Sequence, residues 1–122
     1  MSFYHFAPAL GYLRADLSGI RQPWDEIRMR HLAPRLGYNL RKTIVFTAAT
    51  THRIERLLDQ VDRHGAEAVF VPGRDHLDGQ LDVLREHVGV VIDLDDELRA
   101  GPRPRAPRAE RGLSGVWKWI TG

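Results

Sequence analysis

Apolar residues in this chain cluster in two alternating ways, as short continuous runs and as stripes at helical spacing. The runs are residues 10–13, Thr43-Ile-Val-Phe-Thr47, Ala68-Val-Phe-Val71 and Val90-Val-Ile92. Most are rich in β-branched residues, and Pro72 and Gly73 close the third, so each predicts a strand. The first stripe opens at Pro23, with Asp25 and Glu26 in a first turn where carboxylates favour the helix dipole. Its apolar positions are Trp24, Ile27, Leu32 and Leu36. Pro34 lacks an N–H and predicts a kink or an end near Ala33, with Gly37 as a stop. A second helix is expected after a Thr51 cap, because Ile54, Leu57, Leu58 and Val61 fall at i, i+3, i+4 and i+7. Gly65 suits the left-handed residue beyond its last turn. Leu77, Leu81, Leu84 and Val88 mark a third helix. Strands that alternate with helices predict an α/β fold of three layers. The expected core is a mostly parallel sheet of four to five strands with helices on both faces.

Composition adds boundaries. With 122 residues, 43% hydrophobic and 28% charged, the chain suits one domain with a core of its own. It has no cysteine, which excludes disulfides and thiolate metal sites. The first ten residues have no positive n-region, and no stretch reaches the ~18 apolar residues of a membrane span. A soluble, cytoplasmic protein is expected. The net charge of +2 is unevenly placed. Residues 1–98 hold 12 Lys and Arg against 15 Asp and Glu, whereas residues 99–122 hold 6 against 1. Residues 99–108 contain three prolines and no large apolar side chain. The chain therefore divides into a body, 1–98, and a basic Pro/Arg-rich extended tail, 99–122, that closes on Val116-Trp-Lys-Trp-Ile120.

In open parallel sheets, ligands bind beyond the carboxyl ends of the strands. Those loops supply Arg14 and Asp16, then Thr47, Thr50 and Thr51, then Arg74, Asp75 and His76, and finally Asp93, Asp95 and Asp96. Arginines with hydroxyls can hold a phosphate or a carboxylate, and the neighbouring acids oppose that. A small anion site and a set of solvated loop residues are both open readings.

Gly11-Tyr-Leu-Arg-Ala-Asp16 resembles the opening Tyr-x-Arg-x-Ser signature of the serine recombinases, the resolvase/invertase family. Val69-Phe-Val-Pro-Gly-Arg-Asp-His-Leu77 is similar to that family's third strand and its following Asp-Arg-Leu loop. The resemblance spans residues 9–94. It implies the fold of the family's N-terminal catalytic domain, in which a serine attacks a DNA phosphate and arginines stabilise the phosphoryl charge. By that comparison Arg14 matches the signature arginine and Asp16 stands where the nucleophilic serine should be. Arg53 matches an intermediate-loop arginine, and Asp75 matches the loop aspartate. His76 replaces the arginine after it, and Gly79 falls near a second.

An ionised carboxylate at position 16 repels the phosphate it would have to attack, and its product would be an acyl phosphate. Two missing arginines remove charge stabilisation on the order of several kcal/mol. Ser18 has either a turn or capping role or that of a displaced nucleophile. No catalytic residue is expected, and strand exchange is expected to be lost.

Asp75-His-Leu-Asp78 fits a loop chelate or a plain polar loop, and neither metal nor cofactor is expected. His52, His64, His76 and His87 are expected as surface or cap residues. The acidic run 93–97 is a solvated terminus or a partner for the basic tail. Binding candidates are Arg14 and Arg74 in the body and Arg103, Arg105 and Arg108 in the tail, the last three through weak, sequence-blind phosphate contacts. Trp117 and Trp119 anchor to a protein partner or a membrane surface, or pack back on the body. Recombinases continue into a long helix and a helix-turn-helix reader, for which about two dozen residues are too few. Three functions stay open: a non-enzymatic binding or regulatory module with a protein partner, a recombinase-related enzyme subunit, and an accessory DNA-binding protein. A monomer or weak homodimer is expected.

Overall fold

The computed structural model describes the backbone of residues 6–100 and the side chains of residues 6–97. The first strand, β1 (Ala7–Arg14), runs into a short helix, α1 (Ala15–Ser18), and a 3-10 turn (Gly19–Arg21). There follow α2 (Gln22–Arg35), β2 (Tyr38–Phe46), α3 (Arg53–His64) and β3 (Ala68–Val71). A second 3-10 turn (Arg74–Leu77), α4 (Leu81–Val88), β4 (Val90–Asp93) and α5 (Leu94–Ala100) complete the order. The four strands form one sheet in the order β2-β1-β3-β4, and every pairing is parallel. Each crossover carries a helix, which is what a parallel pair requires. The expected α/β sandwich is therefore the observed fold.

Two cores lie on opposite faces of the sheet. Leu10, Tyr12, Ile44, Val69 and Val71 pack against Ile54, Leu57 and Val61 of α3 and Leu84 of α4. Ala9, Leu13, Ala68 and Phe70 pack against Met29 and Ala33 of α2 and Leu94 of α5. Strand alternation sends successive side chains to the two cores, so β3 is apolar throughout and β1 is apolar up to Arg14.

The inner face of α2 is not the one its largest apolar residues predict. Trp24 is 60% exposed and Ile27 39%, whereas Asp25, Met29 and Ala33 are buried and Leu32 and Leu36 partly so. The reason lies at Gly11. A Cβ there would sit 2.9 Å from Thr43 Oγ1 and 3.4 Å from Met29 Cε, so the bare backbone lets α2 approach β1. That close crossing takes Met29 and Ala33 and leaves no room for a tryptophan. Pro34 lies inside the last turn, and the helix ends at Arg35, one residue beyond it, with Gly37 at a φ of 90°.

Other boundaries shift for local reasons. The strand expected at Thr43 begins at Tyr38, with a register break opposite Ala9 and Leu10. Thr51 does not cap α3. His52 holds that position with a left-handed backbone and no side-chain cap bond, and the Thr51 carbonyl accepts instead from Arg56 Nε at 2.9 Å. The third helix is broken in two, because Asp78 (φ 55°) and Gly79 (φ 73°) are left-handed and cannot continue a helical turn. The acidic run 93–97 holds the end of β4 and the first turn of α5. Asp93 Oδ1 accepts from the N–H groups of Asp95 at 2.8 Å and Asp96 at 3.3 Å, a side-chain cap on α5. Among the described residues no helix is long and apolar enough to cross a membrane.

Candidate functional site: an arginine–aspartate cluster at the carboxyl edge of the sheet

Arg14 ends β1, and the turn into α1 places Asp16 within its reach. The guanidinium grips Asp16 as a fork, Nε to Oδ1 at 3.2 Å and Nη2 to Oδ2 at 2.6 Å. Its third nitrogen, Nη1, donates to Asp78 Oδ1 at 2.7 Å. Arg53, the first residue of α3, grips Asp78 in the same manner, Nε to Oδ2 at 2.9 Å and Nη2 to Oδ1 at 3.1 Å. Its Nη1 donates to the carbonyls of Thr47, Ala48 and Thr50 at 3.0, 3.2 and 2.9 Å, which folds the loop after β2 around it. Every side-chain nitrogen of both arginines is thus engaged, and two cations face two carboxylates. Bidentate arginine–carboxylate pairing is the geometry with which arginine also holds phosphate.

The left-handed backbone at Asp78 is what joins β3 to this cluster. It follows the 3-10 turn, and aspartate tolerates that conformation better than most residues. Arg53 beside Asp78, followed by Arg14, holds that carboxyl below the usual carboxylate range. The Arg14 hydrogen bonds do the same for Asp16. Both are ionised at neutral pH.

Beneath the cluster lie two buried polar groups. His76 is 4% exposed, and its Nδ1 accepts the backbone N–H of Arg14 at 2.9 Å, so it is neither a surface nor a cap residue. Burial lowers its pKa, which keeps the ring neutral and fixes Nδ1 as the acceptor. Tyr12 packs edge-on against Phe46, with ring centres 5.7 Å apart. Its hydroxyl has no hydrogen-bond partner among the described residues. Burial, followed by the charge of Asp78, pushes its pKa up to about 12.

The structure therefore brings Arg14, Asp16, Arg53 and His76 together and adds Asp78, which the sequence suggested only as part of a chelate. Asp75 stands apart. It is exposed, with Oδ1 2.7 Å from where a Gly73 Cβ would lie, and makes no bond to Arg14 or Arg53. Arg74 joins a separate pair of carboxylates, Asp93 at 3.4 Å and Asp96 at 2.8 Å, which tie the end of β3 to α5. Ser18 ends α1 and takes the N-cap position of the 3-10 turn, but its side chain caps no backbone N–H. It is buried, and its Oγ donates to Asp25 Oδ2 at 2.9 Å. His31, His52, His64 and His87 are exposed or half-buried, and His87 Nε2 meets Asp62 Oδ1 at 2.7 Å. No group of three metal-ligating side chains forms among the described residues. Arg103, Arg105, Arg108, Trp117 and Trp119 lie outside the described residues.

No protein-family model matches the chain, and no curated protein does either. A solved structure does: the C-terminal catalytic domain of ISC1926 TnpA, an IS607-like serine recombinase. The TM-score is 0.56 at 13% sequence identity, over 86% of this chain and 74% of that one. The chain thus has the fold of a serine recombinase catalytic domain.

Proposed function

We propose that this domain is a non-catalytic binding or regulatory module on a recombinase fold, one that does not cut DNA. The observation that carries this reading is the closed cluster. Arg14 is held by Asp16 and Asp78 and Arg53 by Asp78, and Asp16 stands where the family resemblance puts a serine. A DNA phosphate reaching either guanidinium would have to displace an ionised carboxylate held at 2.6–3.2 Å. Charge that would stabilise a phosphoryl transition state is already neutralised in the ground state. Ser18 offers no substitute nucleophile, since its hydroxyl is buried against Asp25.

The test is incubation of the full chain with supercoiled plasmid, followed by denaturing electrophoresis. Neither nicked plasmid nor a covalent protein–DNA species is expected. A covalent species that disappears in Ser18→Ala would overturn the proposal.

The charge distribution favours a second, compatible reading, accessory DNA binding through residues 99–122, whose 6 cations face 1 acid. Gel shifts that are salt-sensitive and vanish when Arg103, Arg105 and Arg108 are changed to glutamine support it. Equal binding by both forms removes it.

A further inference from the structure

We propose that the outer side of α2 is a docking surface for an acidic amphipathic helix of another protein. The helix carries apolar residues on two opposite sides, with Asp25 among them on the inner side and His31 on the outer. Asp25, Met29 and Ala33 face the sheet. Half a turn away, Trp24, Ile27, His31 and Pro34 repeat at intervals of three and four, and all four are exposed. Ile20, on the 3-10 turn that leads into α2, continues the series and is 99% exposed. A seam with this alternation is the spacing by which two helices interdigitate. Large apolar side chains lined up in solvent mark an interaction site more often than a solvated face.

Charge selects the occupant. Arg21, Arg28 and Arg35 recur every seven residues along one flank of the seam, and Arg30 lies on the other. Arg28 is drawn to the buried Asp25 at 3.3 Å, and Arg21 is 3.8 Å from the same carboxylate with its side chain 63% exposed. Arg30 and Arg35 are exposed and make no ion pair among the described residues. Flanking charges of this kind set partner choice between helices. A second copy would place arginine against arginine, Arg30 facing Arg35 in a parallel pair and each flank facing itself in an antiparallel one. The chain's own residues 99–122 carry an excess of cations and are repelled in the same way. A nucleic-acid backbone would meet the arginines and leave Ile20 and Ile27 against phosphate. A helix with apolar residues at three–four spacing and Glu or Asp on its flanks satisfies both features.

This inference rests on the binding-module reading, and the two fail separately. A covalent DNA adduct would overturn that reading whatever binds α2, and lost peptide binding would leave the cleavage result intact. The probe is a designed helical peptide of about three heptads, leucine on its seam and glutamate on its flanks, beside a twin with lysine for glutamate. Each is titrated into the isotopically labelled full chain. The acidic peptide is expected to shift the amide resonances of Ile20, Trp24 and Ile27 and to bind at least about tenfold more tightly than its twin. The Arg30→Glu/Arg35→Glu double variant should invert that preference, and Ile20→Ser/Ile27→Ser should abolish binding of both peptides. Equal affinities, no binding up to about 1 mM, or a preference unchanged by charge reversal would overturn the proposal. So would a random-sequence DNA duplex that shifts the same resonances at lower concentration.

Discussion

At the carboxyl edge of the sheet each arginine meets a carboxylate, whereas along the outer side of α2 Arg30 and Arg35 make no ion pair among the described residues. The first region looks like a phosphate site in its residue types, and its guanidiniums are paired with its own aspartates. The second resembles nothing catalytic, yet it presents Arg30 and Arg35 beside apolar surface, while Arg21 and Arg28 lean toward the buried Asp25. Arginine content is a poor guide to binding. What decides is whether the guanidinium is already paired, and that depends on how distant segments fold together.

The sharpest way to break this contrast is to open the cluster. Asp78→Ala leaves Arg14 and Arg53 facing each other with the bridging carboxylate removed. The side chains of both arginines are only 16–17% exposed. Truncating one member of a partly buried network costs less than the full buried-pair penalty, so a loss of about 2 kcal/mol is expected from urea unfolding. Asp78→Asn keeps the shape and removes the charge, and it should give phosphate or DNA measurable access to Arg53, whose one carboxylate partner it neutralises. If Asp78→Ala unfolds like the parent chain, the cluster is not a structural lock.

Next in size is Ser18→Ala. Its hydroxyl donates to a buried carboxylate, and losing such a charge-assisted bond costs about 1.5 kcal/mol. No change in behaviour toward DNA is expected. A stable Ser18→Ala chain that differs from its parent in plasmid assays would place Ser18 in chemistry after all.

These two residues also show where the sequence was legible. β3 was readable to the residue because a fully buried parallel strand is one apolar run ended by Pro72. The α3 stripe was equally plain, and Ile54, Leu57 and Val61 are buried. Leu32 and Leu36 of α2 do pack on the core. The first half of that helix was misread, because hydrophobicity ranks Trp24 above Asp25 and takes no account of a Ser18 hydroxyl that satisfies the carboxylate or a Gly11 that draws the helix close. α5 was missed although Asp93 and the acids after it are the usual signature of a helix start. In the cluster, Arg14 and Asp16 are two residues apart and could be paired on paper. Asp78 lies 64 positions from Arg14 and reaches it only through a left-handed turn, for which Asp78-Gly79 was the one visible sign.

Titration separates the two regions further. His76 has its pKa lowered by burial, so its contribution is complete above the unfolded value of 6.5 and is lost as the pH falls below it. Asp16 and Asp78 are also lowered, and their contribution holds above 3.8 and is lost as the pH drops through their folded values. Tyr12 is raised from 10.0 to about 12, so stability is lost again over that alkaline interval. Urea midpoints measured against pH should therefore fall in two acid steps, and Asp78→Asn should shrink only the lower one. A single step near pH 4 would mean that His76 is not held neutral by its burial.

The smallest expected effect is the most telling about α2. Arg30→Glu/Arg35→Glu reverses two exposed charges that touch no partner among the described residues, so the cost should stay near the roughly 1 kcal/mol of setting a carboxylate in the last turn of α2. Arg53→Glu, by contrast, sets a carboxylate against Asp78 and empties the carbonyl ring of the β2–α3 loop. If the arginines of α2 served the fold, their reversal would cost as much as that at the cluster. If they serve a partner, the reversed chain folds unchanged and differs only in what it binds. Paired thermal melts of the two variants decide between these, because only the second outcome leaves the outer side of α2 free of any structural reason for its charge.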